Sequence, residues 1–382
     1  MSGAQFTKDA AGAGLRPPRS LTLAITGSCN LRCRHCWVEA GVPTSAGDAP
    51  LRQVLRLVDE FAALGGETIH LTGGEPLSHP EWFTILSHCC SQPALRSVGL
   101  QTNGVLLDVA SVARLQSLPP DRLSIQLSLD GTSPGTHDRV RGTGSFAQVV
   151  AGATRLAAAG LGGRTSLAFT EMRHNMGDIP ELLELADDLG LGAVVGGTLV
   201  KDGRAARTGL EPPAPEQYRT LLSRYHADPR FRELYEKRGR FSAVEWWKGR
   251  SGVRGEPCAF VDHPYITAEG KIYPCKLCHA DDFAVAGAFG KPLGVALGEG
   301  IPKWSQLVQL SHQRSASLAE CLDCHARRHC AGGCMGRAHA ACGSLTAVED
   351  RCELWRAIHA WRADEDGEHA ARAAWATDLE DR

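Results

Sequence analysis

Three cysteines, Cys29, Cys33 and Cys36, lie close together in the segment ITGSCNLRCRHCW. Three thiolates on one loop can bind three irons of a 4Fe–4S cluster, which leaves the fourth iron open for a substrate or cosubstrate. Zinc is the alternative, but a structural zinc ion requires four ligands, and only His35, inside the loop, lies near enough in sequence to be one. The spacing therefore favours an iron–sulfur site with one open iron.

A second and larger group of cysteines lies nearer the C-terminus. It consists of Cys258, Cys275, Cys278, Cys321, Cys324, Cys330, Cys334, Cys342 and Cys352. The chain has 14 cysteines and no recognisable export signal, and clustered thiols in a reducing compartment bind metal more often than they form disulfides. Cys89 and Cys90 belong to neither group. They fall in a predicted helix, where we expect them to be small buried hydrophobic residues.

The overall charge excludes two classes of partner. Lys and Arg number 41 and Asp and Glu number 43, so the net charge of −2 gives no general attraction to nucleic acid or to an anionic membrane. No apolar run reaches the ~18 residues of a membrane span, and the N-terminus lacks the apolar core of a signal peptide. We therefore expect a cytoplasmic protein that binds neither nucleic acid nor membrane.

Short apolar segments alternate with helical patterns in the first half of the chain, as in a parallel sheet with crossover helices. The predicted strands are Leu21–Thr26, Thr68–Leu71, Ser97–Gln101, Leu123–Ser128, Ser166–Phe169 and Ala193–Val195. The predicted helices are Leu51–Leu64, Pro80–Cys90, Val109–Leu118, Phe146–Ala159 and Ile179–Leu189. Six consecutive β-then-α units predict an α/β fold, a partial (β/α)6 barrel of the TIM type.

These patterns divide the chain into five parts. The parts are an N-terminal tail (1–18), the partial barrel (19–212), a basic bridging region (213–256), a small C-terminal domain (257–361) and a charged C-terminal tail (362–382). Residues 201–254 contain 13 Lys or Arg and 7 Asp or Glu, which is typical of a solvated helical connector or of a docking surface for an acidic peptide segment. The C-terminal domain has too small a core to fold without metal.

Further motifs follow the predicted strands at the edge where parallel barrels bind ligands. The second strand ends in Gly73, Gly74, Glu75 and Pro76, and two glycines let the backbone approach a small molecule closely. This GGEP motif, the cysteine loop Cys29-x3-Cys33-x2-Cys36, QTNG at Gln101–Gly104 and SLDG at Ser128–Gly131 together resemble the radical S-adenosylmethionine superfamily over about residues 20–200.

The resemblance implies a 4Fe–4S cluster on the three-cysteine loop, with S-adenosylmethionine bound at the open iron. The backbone of Gly73–Pro76 is implied to contact the amino group, and Ser128 and Arg141 are implied as further contacts. The implied reaction is reductive cleavage of S-adenosylmethionine to a 5′-deoxyadenosyl radical, which abstracts a hydrogen atom from the substrate. The family usually has an aromatic residue where this chain has His35.

Seven of the C-terminal cysteines and Gly270 resemble the SPASM extension of that superfamily, which carries two auxiliary 4Fe–4S clusters. The resemblance implies one auxiliary cluster on Cys321, Cys324, Cys330 and Cys352, and the other on Cys258, Cys275 and Cys334. The resemblance does not assign the fourth ligand of the second cluster. It is Cys278 or Cys342, or else the fourth iron has no protein ligand and can bind a substrate thiolate. Zinc-ribbon packing is the alternative for this array.

The SPASM resemblance implies an enzyme that modifies a ribosomally synthesised peptide by a crosslink, thioether, epimer or oxidation. Only about twenty residues precede the first strand, too few for a leader-binding module of ~80 residues, so a precursor peptide is expected to bind a separate leader-peptide-binding protein or the basic bridge. A flavodoxin or ferredoxin is the expected reductant. The alternatives are the same chemistry on a small metabolite, such as dehydrogenation of an alcohol, a sulfatase-type formylglycine maturase, and an iron–sulfur electron carrier or sensor.

The sequence does not select a catalytic base. Anaerobic sulfatase maturases carry a carboxylate directly after the cysteine of the Gly-x4-Cys motif, where this chain has Lys276, which argues against formylglycine formation. The nearby candidates for a base are Asp262, His263, Glu171 and Asp282. Each of these residue types is more often an ordinary surface or hydrogen-bonded side chain.

Overall fold

The computed structural model describes residues 3–41, 47–249, 258 and 261–361. The predicted charged tail, residues 362–382, lies outside the described residues, as does the stretch 250–256 of the predicted bridging region. Within the described ranges, no helix is long and apolar enough to cross a membrane.

The strands form one sheet in the order β7-β6-β5-β4-β3-β2-β1-β8-β9. They are β1 Ser20–Thr26, β2 Thr68–Gly73, β3 Ser97–Thr102, β4 Leu123–Ser128, β5 Thr165–Glu171, β6 Ala193–Thr198, β7 Gly239–Arg240, β8 Tyr265–Ile266 and β9 Ile272–Tyr273. The first six strands are those that the sequence predicts, and each pairs in parallel with the next. They confirm the predicted α/β class and the partial (β/α)6 barrel.

The helices connect and cover these strands. They are α1 Gly3–Gly12, α2 Leu51–Ala63, α3 Trp82–Ser91, α4 Val109–Gln116, α5 Pro134–Arg141, α6 Ser145–Ala158, α7 Ile179–Asp188, α8 Pro215–Ala227, α9 Pro229–Arg238, α10 Ser242–Trp247, α11 Leu293–Ser317, α12 Ala319–Leu322, α13 Arg327–Cys330 and α14 Met335–Cys342, and a further helix covers residues 352–361. All five predicted helices are present. The sequence prediction missed α5, and Pro80 precedes α3 rather than lying in its first turn.

Alternation of side chains along the strands separates the core from the barrel lumen. In β1, Leu21, Leu23 and Ile25 are fully buried in the main hydrophobic core. The intervening Thr22 faces the lumen, as does Gln126 on β4. One face of the strands therefore presents neutral polar groups to the lumen, and the other face packs its apolar side chains in the core beneath the helices.

The sheet continues across the predicted boundary between barrel and C-terminal domain. The strand β8 pairs in parallel with β1, through Thr22 with Tyr265, and β9 pairs antiparallel with β8. The turn of this hairpin requires Gly270, because its φ is +81° and a Cβ atom there would lie 2.7 Å from the Phe289 ring. The C-terminal region thus shares its first two strands with the barrel.

The N-terminal residues differ from the predicted tail. The helix α1 buries Phe6 and Ala10 completely in the main core and packs against α11. Phe6 and Ala10 are four residues apart, so they lie on the same face of the helix. These two residues alone give too weak a helical periodicity for the sequence to predict α1.

The bridging region also differs from the expected solvated connector. The helices α8, α9 and α10 bury Tyr218, Tyr235 and Phe241 in the main core. Part of the basic surplus is used in ion pairs, such as that of Arg238 with Asp187 at 2.9 Å. The basic residues therefore lie on the outer face of helices that pack onto the barrel.

Arg337 on α14 connects the C-terminal region to the end of β6. Its guanidinium is buried, donates at 3.1 Å to the carbonyl oxygen of Thr198, and also donates to the carbonyl oxygen of Leu199. The same group forms two hydrogen bonds of 2.7 Å with the carboxylate of Asp350. One side chain therefore ties two segments of the C-terminal region to the barrel.

We predict that Arg337→Met destabilises the docking of the C-terminal region. Methionine keeps much of the side-chain volume, but Asp350 loses its partner and the carbonyl groups of Thr198 and Leu199 lose their donor. Removing one member of a buried ion pair costs roughly 3–5 kcal/mol, so the denaturant midpoint of the holoprotein should fall markedly. The matched control is Lys303→Met, which removes an exposed cation on α11 and should leave the midpoint unchanged. Equal midpoints for the two variants would contradict this role.

Candidate active site

The lumen of the barrel is a cavity of about 430 Å³. The three cysteines of the first group line it, which places all three thiols at one end of the same space. Neutral polar residues from successive strands form much of the wall, namely Thr22, Thr72, Gln101, Gln126, Ser128 and Thr170. Lys276 and Leu277 from the C-terminal region also line the cavity, so both parts of the chain enclose it.

The cysteine loop is held by hydrogen bonds with α5 and with the short helical turn Gly203–Arg207 that follows β6. The Arg204 amide donates to the carbonyl oxygen of Cys36 at 3.0 Å, and the Arg204 Nε donates to that of Cys33 at 2.9 Å. The Arg34 amide donates to the carbonyl oxygen of Val140 at 2.7 Å. Sequence reasoning missed Arg204, because it lies far along the chain in a segment without a motif and meets the loop only in the folded structure.

The electrostatics of the loop suit a bound cationic centre. Burial raises the pKa of Cys29 to about 11, and it also raises that of Cys33 against the opposing effect of the Arg141 and Arg204 guanidinium groups. Thiols with raised pKa values, such as those of Cys29 and Cys33, stay protonated unless a metal centre offsets the charge of their thiolates. The site therefore fits a metal centre.

The cysteine loop can supply the ligands that a 4Fe–4S cluster requires. The thiolates on such a cluster each bind a different iron. Cys29, Cys33 and Cys36 all line the lumen, so the loop offers one thiolate to each of three irons.

The glycine pair allows β2 to approach the end of β1. A Cβ atom on Gly73 would lie 2.2 Å from the carbonyl oxygen of Thr26, and one on Gly74 would lie 1.9 Å from that of Ser28. The Gly74 and Glu75 amides donate to the same two oxygens, both at 2.8 Å. The sequence predicted that these glycines allow close approach of a small molecule. The structure shows that the same glycines are also needed within the protein, because they allow the end of β2 to contact the end of β1 beside the cysteine loop.

Glu75 is fully buried and organises the neighbouring strand end rather than lining the cavity. Its carboxylate accepts from the Thr102 hydroxyl and from the Asn103 amide, both at 2.7 Å, and from the Leu77 amide at 3.1 Å. Asn103 in turn donates from Nδ2 to Asn30 in the cysteine loop, at 2.7 Å. The GGEP glutamate thus links the QTNG motif to the cysteine loop, while Pro76 is buried behind it.

Ser128 and Arg141, the implied S-adenosylmethionine contacts, both line the lumen. The Arg141 Nε donates to Asp130 at 2.6 Å, and His35 lies 3.3 Å from the same carboxylate oxygen. Burial alone would raise the pKa of Asp130, but Arg141, His35 and the Thr170 amide lower it to about 2. Burial lowers the pKa of His35 to about 4, so that imidazole is neutral near pH 7. The ionised Asp130 therefore fixes the position of Arg141.

The C-terminal thiols fall into two sets by their effects on one another's pKa. Burial, together with the charges of Cys334 and Cys258, raises the pKa of Cys278 to about 12, and Cys278 and Cys334 also raise that of Cys275. The thiols of Cys258, Cys275, Cys278 and Cys334 are therefore close enough for their charges to affect the pKa of Cys275 or Cys278. Cys342, the other candidate fourth ligand, is exposed.

The second group of C-terminal thiols contains the remaining four. Burial raises the pKa of Cys330 to about 12, and Glu349, Cys352 and Cys321 contribute in the same direction. Burial also raises the pKa of Cys352, with Cys324 and Cys321 adding to the effect. Outside both groups, Cys89 and Cys90 are buried in α3, which confirms their predicted role as core residues.

None of the candidate bases is among the described residues that line the lumen. Glu171 lies on the core face of β5, where it accepts hydrogen bonds from the Tyr218 hydroxyl and from the Ser242 amide. Asp262 and His263 pair with each other at 3.7 Å beside the start of β1, and Asp282 is exposed. The structure brings the cysteines, the GGEP glycines, Ser128 and Arg141 together, but it does not place these four acid–base candidates with them.

The comparisons with known proteins agree with this geometry. Residues 23–186 match the model of the Radical SAM superfamily. It is similar to mycofactocin maturase MftC of Mycobacterium ulcerans (33% identity over 177 residues), although the match covers only 46% of this chain and 46% of the relative. The chain thus spans about half the length of that relative.

Two further relatives align over most of the chain. The AdoMet-dependent heme synthase of Methanosarcina barkeri is 26% identical over 88% of this chain and 96% of its own length. The PqqA peptide cyclase of Gluconobacter oxydans is 27% identical over 88% of this chain and 91% of its own length. The structure of native anSMEcpe with bound AdoMet and Cp18Cys peptide has the same fold, with a TM-score of 0.70, 18% identity and coverage of 94% of this chain and 100% of that one.

We predict that Glu75→Gln disturbs the cysteine loop. The amide group of glutamine presents a donor where the carboxylate accepts three hydrogen bonds, so at least one buried amide or hydroxyl loses its partner. The expected loss of unfolding free energy is about 1–3 kcal/mol, with weaker S-adenosylmethionine binding because Asn103 shifts. Glu81→Gln, an exposed change just beyond the same motif, is the control and should alter neither quantity. If Glu75→Gln has the same unfolding free energy and the same S-adenosylmethionine affinity as wild type, then Glu75 does not link the QTNG motif to the cysteine loop.

Proposed function

We propose that this chain is a radical S-adenosylmethionine enzyme of the SPASM type that modifies a ribosomally synthesised peptide. The observation that carries the proposal is the convergence of three thiols from one loop on a lumen that also receives the GGEP glycines and Arg141. A ligand that fills this lumen is held between the cysteine loop and the strand ends, where a reactive group can be positioned against it.

In the proposed site, Cys29, Cys33 and Cys36 hold the 4Fe–4S cluster. When bound, the cluster and S-adenosylmethionine supply a 5′-deoxyadenosyl radical that abstracts a hydrogen atom from the substrate. The Gly73 and Gly74 backbone and the side chains of Ser128 and Arg141 are proposed to bind S-adenosylmethionine. The protein's own contribution is orientation of the two substrates and exclusion of water.

This chain's residues can perform both tasks. Asp130 holds Arg141 in place by a hydrogen bond of 2.6 Å, so the guanidinium is oriented before a ligand arrives. The side chains of Trp37, Tyr265 and Leu277 lie against the lumen and present apolar surface to it. These groups limit the access of water to a reacting radical.

We propose that the two groups of C-terminal thiols each hold an auxiliary 4Fe–4S cluster. Cys258, Cys275, Cys278 and Cys334 would form one set, and Cys321, Cys324, Cys330 and Cys352 the other. The nearness of Cys278 to Cys334 and Cys258, and the exposure of Cys342, favour Cys278 as the fourth ligand of the first set. That cluster would then have no open iron for a substrate thiolate.

The proposed substrate is a precursor peptide. The PqqA peptide cyclase, whose name specifies a peptide substrate, aligns with this chain over 91% of its own length. A small metabolite is the second candidate, because the AdoMet-dependent heme synthase aligns over 96% of its length. Lys276 at the lumen continues to argue against the sulfatase-type reaction. We further propose that a flavodoxin or ferredoxin is the reductant and that a separate protein binds the leader peptide.

The proposal predicts that Cys29→Ala/Cys33→Ala/Cys36→Ala abolishes release of 5′-deoxyadenosine but keeps most of the iron. Anaerobically reconstituted wild type should contain about twelve irons per chain and the triple variant about eight, since the auxiliary sites persist. Cys342→Ala, which removes an exposed thiol outside the three proposed sets, is the control and should match wild type. An iron content near zero in the triple variant would refute the auxiliary clusters, and undiminished 5′-deoxyadenosine release would refute the radical site.

A further inference from the structure

The charged side chains that line the lumen have one sign. Of the described lining residues none is Asp or Glu, whereas Arg141, Arg204 and Lys276 all border the cavity. The other strand residues of the wall are neutral hydroxyl, amide or apolar groups. A concave site with cations and no carboxylates concentrates anionic groups.

Two of the three cations already have partners in the protein. Arg141 donates to the buried carboxylate of Asp130, and Arg204 donates to the carbonyl oxygen of Cys33. Both guanidinium groups also lower the pKa of Cys33, so they lie close to the ligands of the proposed cluster. Their charges stabilise the anionic groups of the site itself.

Lys276 is different, because no residue in the described part of the chain pairs with its charge. Among the described residues, its ammonium group forms neither an ion pair nor a hydrogen bond. It follows Cys275 directly and is exposed at the edge of the lumen that the C-terminal region forms. Burial lowers the pKa of His70 on β2, and the charge of Lys276 adds to that effect.

A neighbouring cavity of about 410 Å³ has the opposite charge. Glu39, Asp202 and Glu269 line it, and none of its described lining residues is Lys or Arg, although Arg207 outside the cavity pairs with Glu39. Trp37 and Tyr265 border both cavities. An acidic group that reaches this part of the molecule is therefore repelled from one cavity and attracted to the other.

We propose that Lys276 binds a carboxylate of the substrate, so that the enzyme selects peptides with Asp, Glu or a free C-terminus at the position that enters the lumen. An ammonium–carboxylate pair is a charge-assisted hydrogen bond, and a carboxylate side chain at position 276 would instead repel such a substrate. Lys276 is thus a specificity-determining residue. This inference rests on the proposed function of the chain as a peptide-modifying enzyme.

Peptide selection by the full-length reconstituted holoprotein, with S-adenosylmethionine present, tests this inference. The probe is a pool of N-acetylated hexapeptides in matched pairs, which compare Asp or Glu with Asn or Gln, and a free C-terminal acid with its amide. Wild type should retain the carboxylate peptide about tenfold better than its amide partner in one of the two types of pair. The type that shows this preference identifies whether the carboxylate comes from a side chain or from the C-terminus. Lys276→Met should abolish the preference, and Lys276→Glu should reverse it toward the amide.

The control is Lys271→Met, which removes a cation from the adjacent hairpin that pairs with Asp281, and it should keep the preference. Equal retention of acids and amides by wild type, or an unchanged preference in Lys276→Met, would overturn the inference and leave the peptide function intact. Retention of no peptide at all would overturn the peptide function as well. A tenfold loss of S-adenosylmethionine affinity in Lys276→Met with unchanged peptide selection would assign Lys276 to the cosubstrate, and thus overturn the inference too.

Discussion

The site depends on holding three thiols of one short loop, one of them buried and two half-buried, beside the open end of a parallel barrel. Burial raises the pKa of Cys29 and of Cys33 and so disfavours their thiolate forms, and the loop gains its chemistry only when a metal centre offsets that cost. The loop must nevertheless keep its shape, and the neighbouring strand ends hold it. Arg204 binds its backbone from one side, while Glu75 acts through Asn103 from the other.

The C-terminal region completes the site instead of forming a separate unit. Its hairpin extends the barrel sheet beside β1, and Arg337 binds the end of β6, so it is attached at both sides of the lumen. This attachment brings Lys276 and Leu277 to the cavity wall. A change in either contact should therefore affect the lumen as well as the proposed auxiliary clusters.

Much of the fold and of the site could be predicted because the signals are local. Six apolar strands, their helices and the glycine pair can all be recognised within short segments. Asp130 and Arg204 illustrate what local signals cannot predict. Asp130 lies in the SLDG motif, yet its role depends on Arg141, which reaches it only after α5 folds, a helix that the sequence did not reveal. Arg204 meets Cys33 across a separation of 171 residues.

The bridging region also shows that local sequence signals do not reveal tertiary packing. Its many basic residues predicted either a solvated helical connector or a docking surface for an acidic peptide, because charge is visible in the sequence whereas the partner surface is not. Tyr218 and Tyr235 are spaced too widely among these charges to give a periodic signal, but both are fully buried against the barrel. Tertiary packing therefore determined the position of these helices more than their composition did.

The central claim is that the cysteine loop leaves one iron open for S-adenosylmethionine. The most direct measurement is the electron paramagnetic resonance spectrum of the dithionite-reduced holoprotein, recorded with and without S-adenosylmethionine. The account predicts that S-adenosylmethionine shifts the signal of one cluster and that this shift is absent when Cys29, Cys33 and Cys36 are replaced by alanine. A spectrum that does not respond to S-adenosylmethionine in the iron-replete wild type would contradict it.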